Sequence, residues 1–229
     1  MSDPRVTPLP TRDGYRLWAP TYGAENPTTA LDEAAARALT PPLAGQVLLD
    51  AGCGTGWRLP APGATGPRRT VGIDLVPEML RSGKGRTPKL RLAAADLGAL
   101  PFADRLFDIV WCRLAIGYVS ELDRAYKELA RVTRRGGCVI VTDFHPVLAR
   151  AGDVRSFRDA QGTVHVIEHH VHEPLDHQRA AARAGLSFDA RLDLVVGPSV
   201  RGFYEAAGKL DRYERQLGLP VVLALRYTG

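Results

Sequence analysis

The sequence predicts an α/β fold built on a doubly wound, mostly parallel sheet, and three observations carry that expectation. Short apolar runs bounded by Gly, Pro and Asp alternate with amphipathic stretches, the pattern of strand-helix units laid on a sheet. The first run ends in a loop with glycine at 52, 54 and 56. The chain has 229 residues, 45% of them hydrophobic, ample for one domain with a sizeable core.

QVLLDAG (46–52) is the first clear strand, followed by RTVGIDL (69–75), KLRLAAAD (89–96), FDIVWCRL (107–114) and GCVIVTDF (137–144). Pro60 and Pro62 fall where the first crossover helix should run. Proline in a helix interior costs about 3 kcal/mol, so that helix is expected to be short or irregular. SELDRAYKELARVTRRGG opens on Ser120 as a cap, places Leu122, Tyr126, Leu129 and Val132 at helical spacing, and closes on basic residues and glycine. After Phe144 the texture changes. SFRDAQGTVHVIEHHVH (156–172) has β-branched residues around a turn at Ala160, Gln161 and Gly162 and reads as an inserted hairpin. A short helix ended by Gly185, a strand over 188–197, a helix over 200–218 and a strand over 220–227 complete the chain, with no internal repeat or low-complexity linker.

The net charge of +5 invites a nucleic-acid partner, but only four of the 30 basic residues are lysines and the arginines are scattered rather than gathered into a stripe. Cys53, Cys112 and Cys138 lie far apart with no C-x-x-C pair. That argues against a disulfide framework and a cysteine zinc site, and fits a reducing cytoplasm. The first residues carry no apolar stretch behind a basic one, and no run of about 18 apolar residues occurs, so neither export nor membrane spanning is expected.

Glycines at 52, 54 and 56 follow Asp50 at a strand end, where missing side chains let the backbone turn sharply and approach a ligand. Asp74 ends the next strand, 18 residues beyond Gly56, where a carboxylate can accept both ribose hydroxyls of an adenosine-containing cofactor. A dinucleotide loop wants a third glycine where Trp57 stands. The G-x-G-x-G spacing therefore fits a ligand without a diphosphate.

LLDAGCGTGW, VGIDLVPEML, AADLGALPFADRLFDIVWCRLAIGYV and ELARVTRRGGCVIVTDF, in this order and spacing, resemble the class I S-adenosylmethionine (SAM) dependent methyltransferases, above all the branch acting on small molecules. The resemblance covers roughly residues 45–145. It implies a Rossmann-like, seven-stranded sheet with an antiparallel last strand, in one domain spanning 1–229: an N-terminal helical lid (1–40), a SAM-binding core (41–145), the inserted hairpin as substrate cap (146–175), and closing helix-strand units (176–229).

The resemblance also implies roles. Asp50, Ala51, Gly52, Cys53, Gly54 and Gly56 would meet the methionine half of SAM, Asp50 helping to hold its ammonium. Asp74 would take the ribose hydroxyls, Leu75 and Met79 would flank the adenine, and Asp96 with the Leu97 amide would read its edge. Cys112, Arg113 and Leu114 would close the pocket, and Trp18 and Tyr22 would cover it from the lid. The chain departs from the family at Arg135, where proline is common, and at Tyr118, where many relatives carry histidine.

SAM already carries an electrophilic methyl, so catalysis needs positioning, desolvation and at times a base. His145 is the first candidate, because DFHP ends the fifth strand at the edge where open α/β folds bind ligands. Tyr118 and His169 are further candidates. Glu168, His170 and His172 share one face of an extended strand, nominally a set of metal ligands, and His165 and His169 the other. Such a run on a short hairpin reads more simply as a solvated face, and we assign no metal.

The sequence thus predicts methyl transfer from SAM, leaving S-adenosylhomocysteine, to an O, N or C nucleophile of a small organic molecule in specialised metabolism. It would act in the cytoplasm, as a monomer or homodimer, away from membranes. Two rivals stand beside it. An RNA methyltransferase has the net charge in its favour, but WCRLAIGY lacks the Asn/Asp-Pro-Pro-aromatic element of amino-directed base methylation. A SAM-fold cyclase or binding protein would use the same cofactor pocket.

Overall fold

The computed structural model describes residues 7–23, 25–84 and 90–229; residues 1–6 and 24 of the expected lid and Lys89 of the expected third strand lie outside these. Strands Val47–Ala51 (β1), Arg69–Asp74 (β2), Arg91–Ala94 (β3), Phe107–Arg113 (β4), Thr133–Phe144 (β5), Ser187–Val195 (β8) and Pro220–Thr228 (β9) form one seven-stranded sheet in the order β3-β2-β1-β4-β5-β9-β8. Every pair is parallel except those of β9, which runs antiparallel to both β5 and β8. This is the predicted fold class. Ser156–Arg158 (β6) and Val164–Val166 (β7) pair antiparallel by themselves as the expected hairpin.

The sheet is wound from β1 outward in both directions, and its central strands are buried from both sides. One face receives Pro27–Leu39 (α2), whose Ala35 and Leu39 pack with Leu48, Ile109, Trp111 and Ile140. Asn26 starts this helix with a capping box: its Oδ1 accepts from the Thr28 and Thr29 amides, both at 3.1 Å, and Thr29 Oγ1 accepts from the Asn26 amide at 2.9 Å. The other face receives Leu122–Val132 (α4) and Pro174–Arg183 (α6). Leu122, Tyr126, Leu129 and Val132 are buried as their spacing predicts, although α4 starts after Glu121 rather than Ser120.

Two helical expectations differ from the structure. No helix forms between β1 and β2: the chain descends in turns through Pro60 and Pro62, held where Thr70 Oγ1 donates to the Pro60 carbonyl at 2.9 Å. Two residues without amide protons so close together leave too few donors for a helical turn. The helix expected over 200–218 breaks at Gly208 into Arg201–Ala206 (α7) and Leu210–Gln216 (α8). Thr11–Trp18 (α1), Pro77–Lys84 (α3) and Pro146–Arg150 (α5) complete the helices. Among the described residues no helix is long and apolar enough to cross a membrane.

Candidate active site

The winding reverses between β1 and β4, and the crevice that such a switch leaves at the strand ends is where open α/β sheets bind ligands. A cavity of about 250 Å³ opens there, walled by the β1 and β2 ends, the segment after β4 and α1. Gly52 and Gly54 hold φ of +89° and +60°, and a Cβ on Gly52 would lie 2.3 Å from that of Ala115. Only glycine allows both this backbone and this approach of the β4 loop. Asp74 fastens the glycine loop to β2: its Oδ2 accepts from the Gly54 amide and its Oδ1 from the Val76 amide, both at 2.8 Å. Burial pushes its carboxyl up and these two amides partly oppose the rise. Leu75, Asp96 and Leu97 continue the wall, with Asp96 Oδ1 accepting from the Gly98 amide at 2.7 Å.

Behind the glycine loop lies a charge cluster that spans elements distant in the chain. Asp32 of α2 is wholly buried and receives Arg113 through Nε at 3.1 Å and Nη2 at 2.7 Å, the Thr142 hydroxyl at 2.6 Å, and Arg58. Glu33 takes Arg113 Nη2 as well, at 2.7 Å. Burial works against the Arg113 charge, yet these carboxylates hold its guanidinium protonated above the usual arginine range. Two atoms in the cluster stay without partners, Arg113 Nη1 and Asp50 Oδ1. Burial pushes the Asp50 carboxyl up to about 6, against the pull of Arg113 and Arg58.

Gly52, Gly54, Arg113 and Leu114 line the cavity, as do Trp18, Tyr22 and Tyr118. Asp50, Ala51, Cys53, Gly56, Met79 and Cys112 stand behind that lining: Ala51 and Cys112 are fully buried, and Cys53 packs with Leu59 and Leu80. Gly56 faces Leu92, and Met79 sits under Tyr15 and Tyr22. Burial raises the Cys53 and Cys112 thiols well above the ordinary cysteine value, so neither presents a thiolate.

Aromatic rings join lid, hairpin and β4 loop over the cavity. Trp18 stacks on Phe157 of β6 at 4.9 Å between centroids, and Tyr15 meets Tyr118 edge-on at 5.2 Å. A second chamber of about 790 Å³ opens beside the first, sharing Trp18, Asn26, Thr28 and Arg155 with it. His145 and His169 both line this chamber but are differently engaged. His145 Nδ1 accepts from the Val147 amide at 3.3 Å, capping α5, and its Nε2 faces Asp193 at 3.4 Å. Burial lowers its pKa although Asp193 opposes this. His169 sits between the rings of Tyr118 and Phe144, with Nε2 3.7 Å from Asp143 Oδ1. Burial would raise the Asp143 carboxyl, but His169 and His177 together hold it below the ordinary range.

The histidine run is not a strand, because β7 ends at Val166. His165 bonds Asp159 at 2.8 Å, and His172 Nε2 lies 2.9 Å from the Val119 carbonyl. Among the described residues no three His, Cys, Asp or Glu side chains are gathered as a metal ion would require. Sequence reasoning missed Asp32, Arg58, Asp143 and Arg155. Asp32 had left a signal: it stands among Leu31, Ala35, Ala36 and Leu39 on the apolar face of α2, where a carboxylate belongs only if it is paired.

A glycine loop on β1, an acidic residue ending β2 and this strand order match what the resemblance to class I SAM-dependent methyltransferases implies. Residues 49–141 match the family model described as methyltransferase domain. The malonyl-[acyl-carrier protein] O-methyltransferase of Erwinia billingiae is 42% identical over 96 residues, covering 42% of this chain and 38% of that one. The demethylmenaquinone methyltransferase of Renibacterium salmoninarum is 40% identical over 103 residues, covering 44% and 43%. The chain thus spans about two fifths of the length of these curated relatives. The crystal structure of an S-adenosylmethionine dependent methyltransferase from Mesorhizobium loti shares the fold, with a TM-score of 0.65 at 23% identity over 87% of this chain and 100% of that one.

Proposed function

We propose that this chain transfers the methyl group of SAM to an O, N or C nucleophile of a small organic acceptor, in specialised metabolism, with the second chamber as the acceptor site. The observation that carries the reading is the pair of unpartnered buried atoms behind the glycine loop, a carboxylate oxygen on Asp50 and a guanidinium nitrogen on Arg113. An amino-acid zwitterion, such as the methionine end of SAM, complements that pair with its ammonium and carboxylate. When bound, SAM supplies an electrophilic methyl on a sulfonium centre.

The remaining roles follow from position. Asp74 uses one lone pair of each oxygen on a loop amide and keeps others for two ribose hydroxyls. Leu75 flanks the adenine with Met79 packed behind that wall, Asp96 and the Leu97 amide read its edge, and Trp18 and Tyr22 exclude water from above. His169 is the base: with Nε2–H directed at Asp143, Nδ1 accepts the acceptor's proton, and the 3.7 Å contact tightens when the imidazole becomes charged. His145, with both ring nitrogens engaged, supports α5 instead. The two curated relatives, named for methylation of malonyl-[acyl-carrier protein] and of demethylmenaquinone, support an organic acceptor.

The test is to incubate the protein with SAM carrying a deuterated methyl group and separated small-molecule and RNA fractions of its host's extract. Mass spectrometry is expected to find the label in one or a few small metabolites. Label in RNA alone overturns the acceptor class. Cofactor binding with label in neither fraction favours a cyclase or binding protein.

A further inference from the structure

Arg155 has no part in the chemistry above, and its surroundings are unusual for a cation. It precedes β6, is half-buried, and lines both the cofactor cavity and the acceptor chamber. Its guanidinium carbon stands 3.6 Å from the centre of the Phe144 ring, and its Nε donates to the Tyr118 hydroxyl at 3.2 Å. Among the described residues it makes no ion pair, and neither terminal nitrogen makes a hydrogen bond. The other guanidinium of the chamber, Arg212, is paired with Asp153 at 2.9 Å, and Asp153 also accepts from Gln216 at 2.8 Å. Glu25 and Glu168 share the chamber without contacting Arg155.

A charge partly withdrawn from water favours a counter-charge or several hydrogen bonds. A ring face and one neutral hydroxyl offset only part of that cost, and they leave the planar fork of terminal N–H groups without an acceptor. We infer that Arg155 is an anion subsite at the junction of the two cavities, and that the acceptor molecule carries a carboxylate which it engages. The inference rests on reading the second chamber as the acceptor site. A single guanidinium balances one negative charge, and its paired donors match the two oxygens of a carboxylate. A phosphate dianion would need a second free cation beside Arg155; Lys209, the chamber's other unpaired cation among the described residues, is exposed and makes no contact with Arg155. The Tyr118 hydroxyl accepts from Arg155 and keeps its own proton to donate to the same carboxylate.

The test measures binding of octanoate and benzoate, and of the neutral octanamide and benzamide, by calorimetry with and without S-adenosylhomocysteine. A charge-assisted pair of this kind predicts that the acids bind at least about tenfold more tightly than the amides. Arg155→Met is expected to abolish that preference while S-adenosylhomocysteine still binds and the melting temperature does not fall, and Arg155→Lys to retain part of it. Equal binding of acids and amides by wild type, binding of neither, or a preference that survives in Arg155→Met overturns the subsite. An intact acid preference in a protein that does not bind S-adenosylhomocysteine overturns the methyl-transfer reading and leaves the subsite standing.

Discussion

Asp50 sits where desolvation and attraction by two guanidinium groups oppose each other, and desolvation prevails, pushing its carboxyl up to about 6. A carboxyl whose pKa is higher folded than unfolded favours the folded chain fully below the unfolded value, and that contribution is lost as pH rises through 6. At pH 8 the ionised, unpartnered group therefore costs on the order of 3 kcal/mol. Asp50→Asn is expected to raise the Tm of the cofactor-free protein at pH 8 and to leave it unchanged near pH 4; thermal melts at the two pH values check this. A bound ammonium favours the ionised form, so SAM affinity should fall about tenfold per pH unit below 6 in wild type and stay flat, though weaker, in Asp50→Asn. Calorimetry across that range that found parallel pH profiles would exclude contact with the ammonium. The proposed base allows a steric test. A Cβ on Gly117 would fall 2.3 Å from His169 Nε2 and 2.5 Å from Asp143 Oδ1, so Gly117→Ala must separate the two. General-base assistance contributes about 10²- to 10⁴-fold. Gly117→Ala and His169→Ala should each lower kcat within that range and leave the KM for SAM within about threefold; a rate unchanged in both would remove His169 from catalysis.

Elements meet at this site because α2 and the hairpin bring side chains that no single motif contains. Asp32 links α2 to β4 and β5 through Arg113 and Thr142. Removing one partner of a buried pair leaves the other charge uncompensated, at about 3–5 kcal/mol. Asp32→Ala should therefore destabilise the fold by that amount in urea melts, whereas breaking an exposed pair such as Arg215 with Asp211 should leave the urea midpoint unchanged. The elements themselves were unequally legible. The period of Leu122, Tyr126, Leu129 and Val132 marked α4 because a helix with one buried face writes that face into its spacing. The segment after β1, expected as a short or irregular helix, was legible only in part, since two prolines show that a helix is hindered but not what replaces it. His169 was singled out on a supposed strand face; what brings its ring to Asp143 is the irregular segment after β7 and the absent side chain at 117, neither of which appears as a local pattern.

At the scale of the whole molecule, the sheet was legible because its central strands are continuous apolar runs bounded by Gly, Pro and Asp. The acceptor chamber was not, since its walls come from segments as distant as Trp18, Phe144, His169 and Arg212, and only the folded chain gathers them. The cofactor side gains from the structure a second reason to refuse a dinucleotide. Besides Trp57 in place of a third glycine, no helix follows the glycine loop, so the helix N-terminus on which a dinucleotide's diphosphate would rest at that loop is missing. Ligand discrimination should then appear in global stability, because a ligand bound only by the folded state stabilises it by mass action. At 100 times its Kd that gain is about 2.7 kcal/mol, which for a chain of this size raises Tm by about 5–10 °C. S-adenosylhomocysteine is expected to produce such a shift in scanning calorimetry, and NAD at the same concentration none. Asp74→Ala should abolish the shift, because the substitution removes the ribose acceptor and also unties the Gly54 and Val76 amides. A shift with NAD, or one with S-adenosylhomocysteine that persists in Asp74→Ala, would move the nucleoside away from the end of β2.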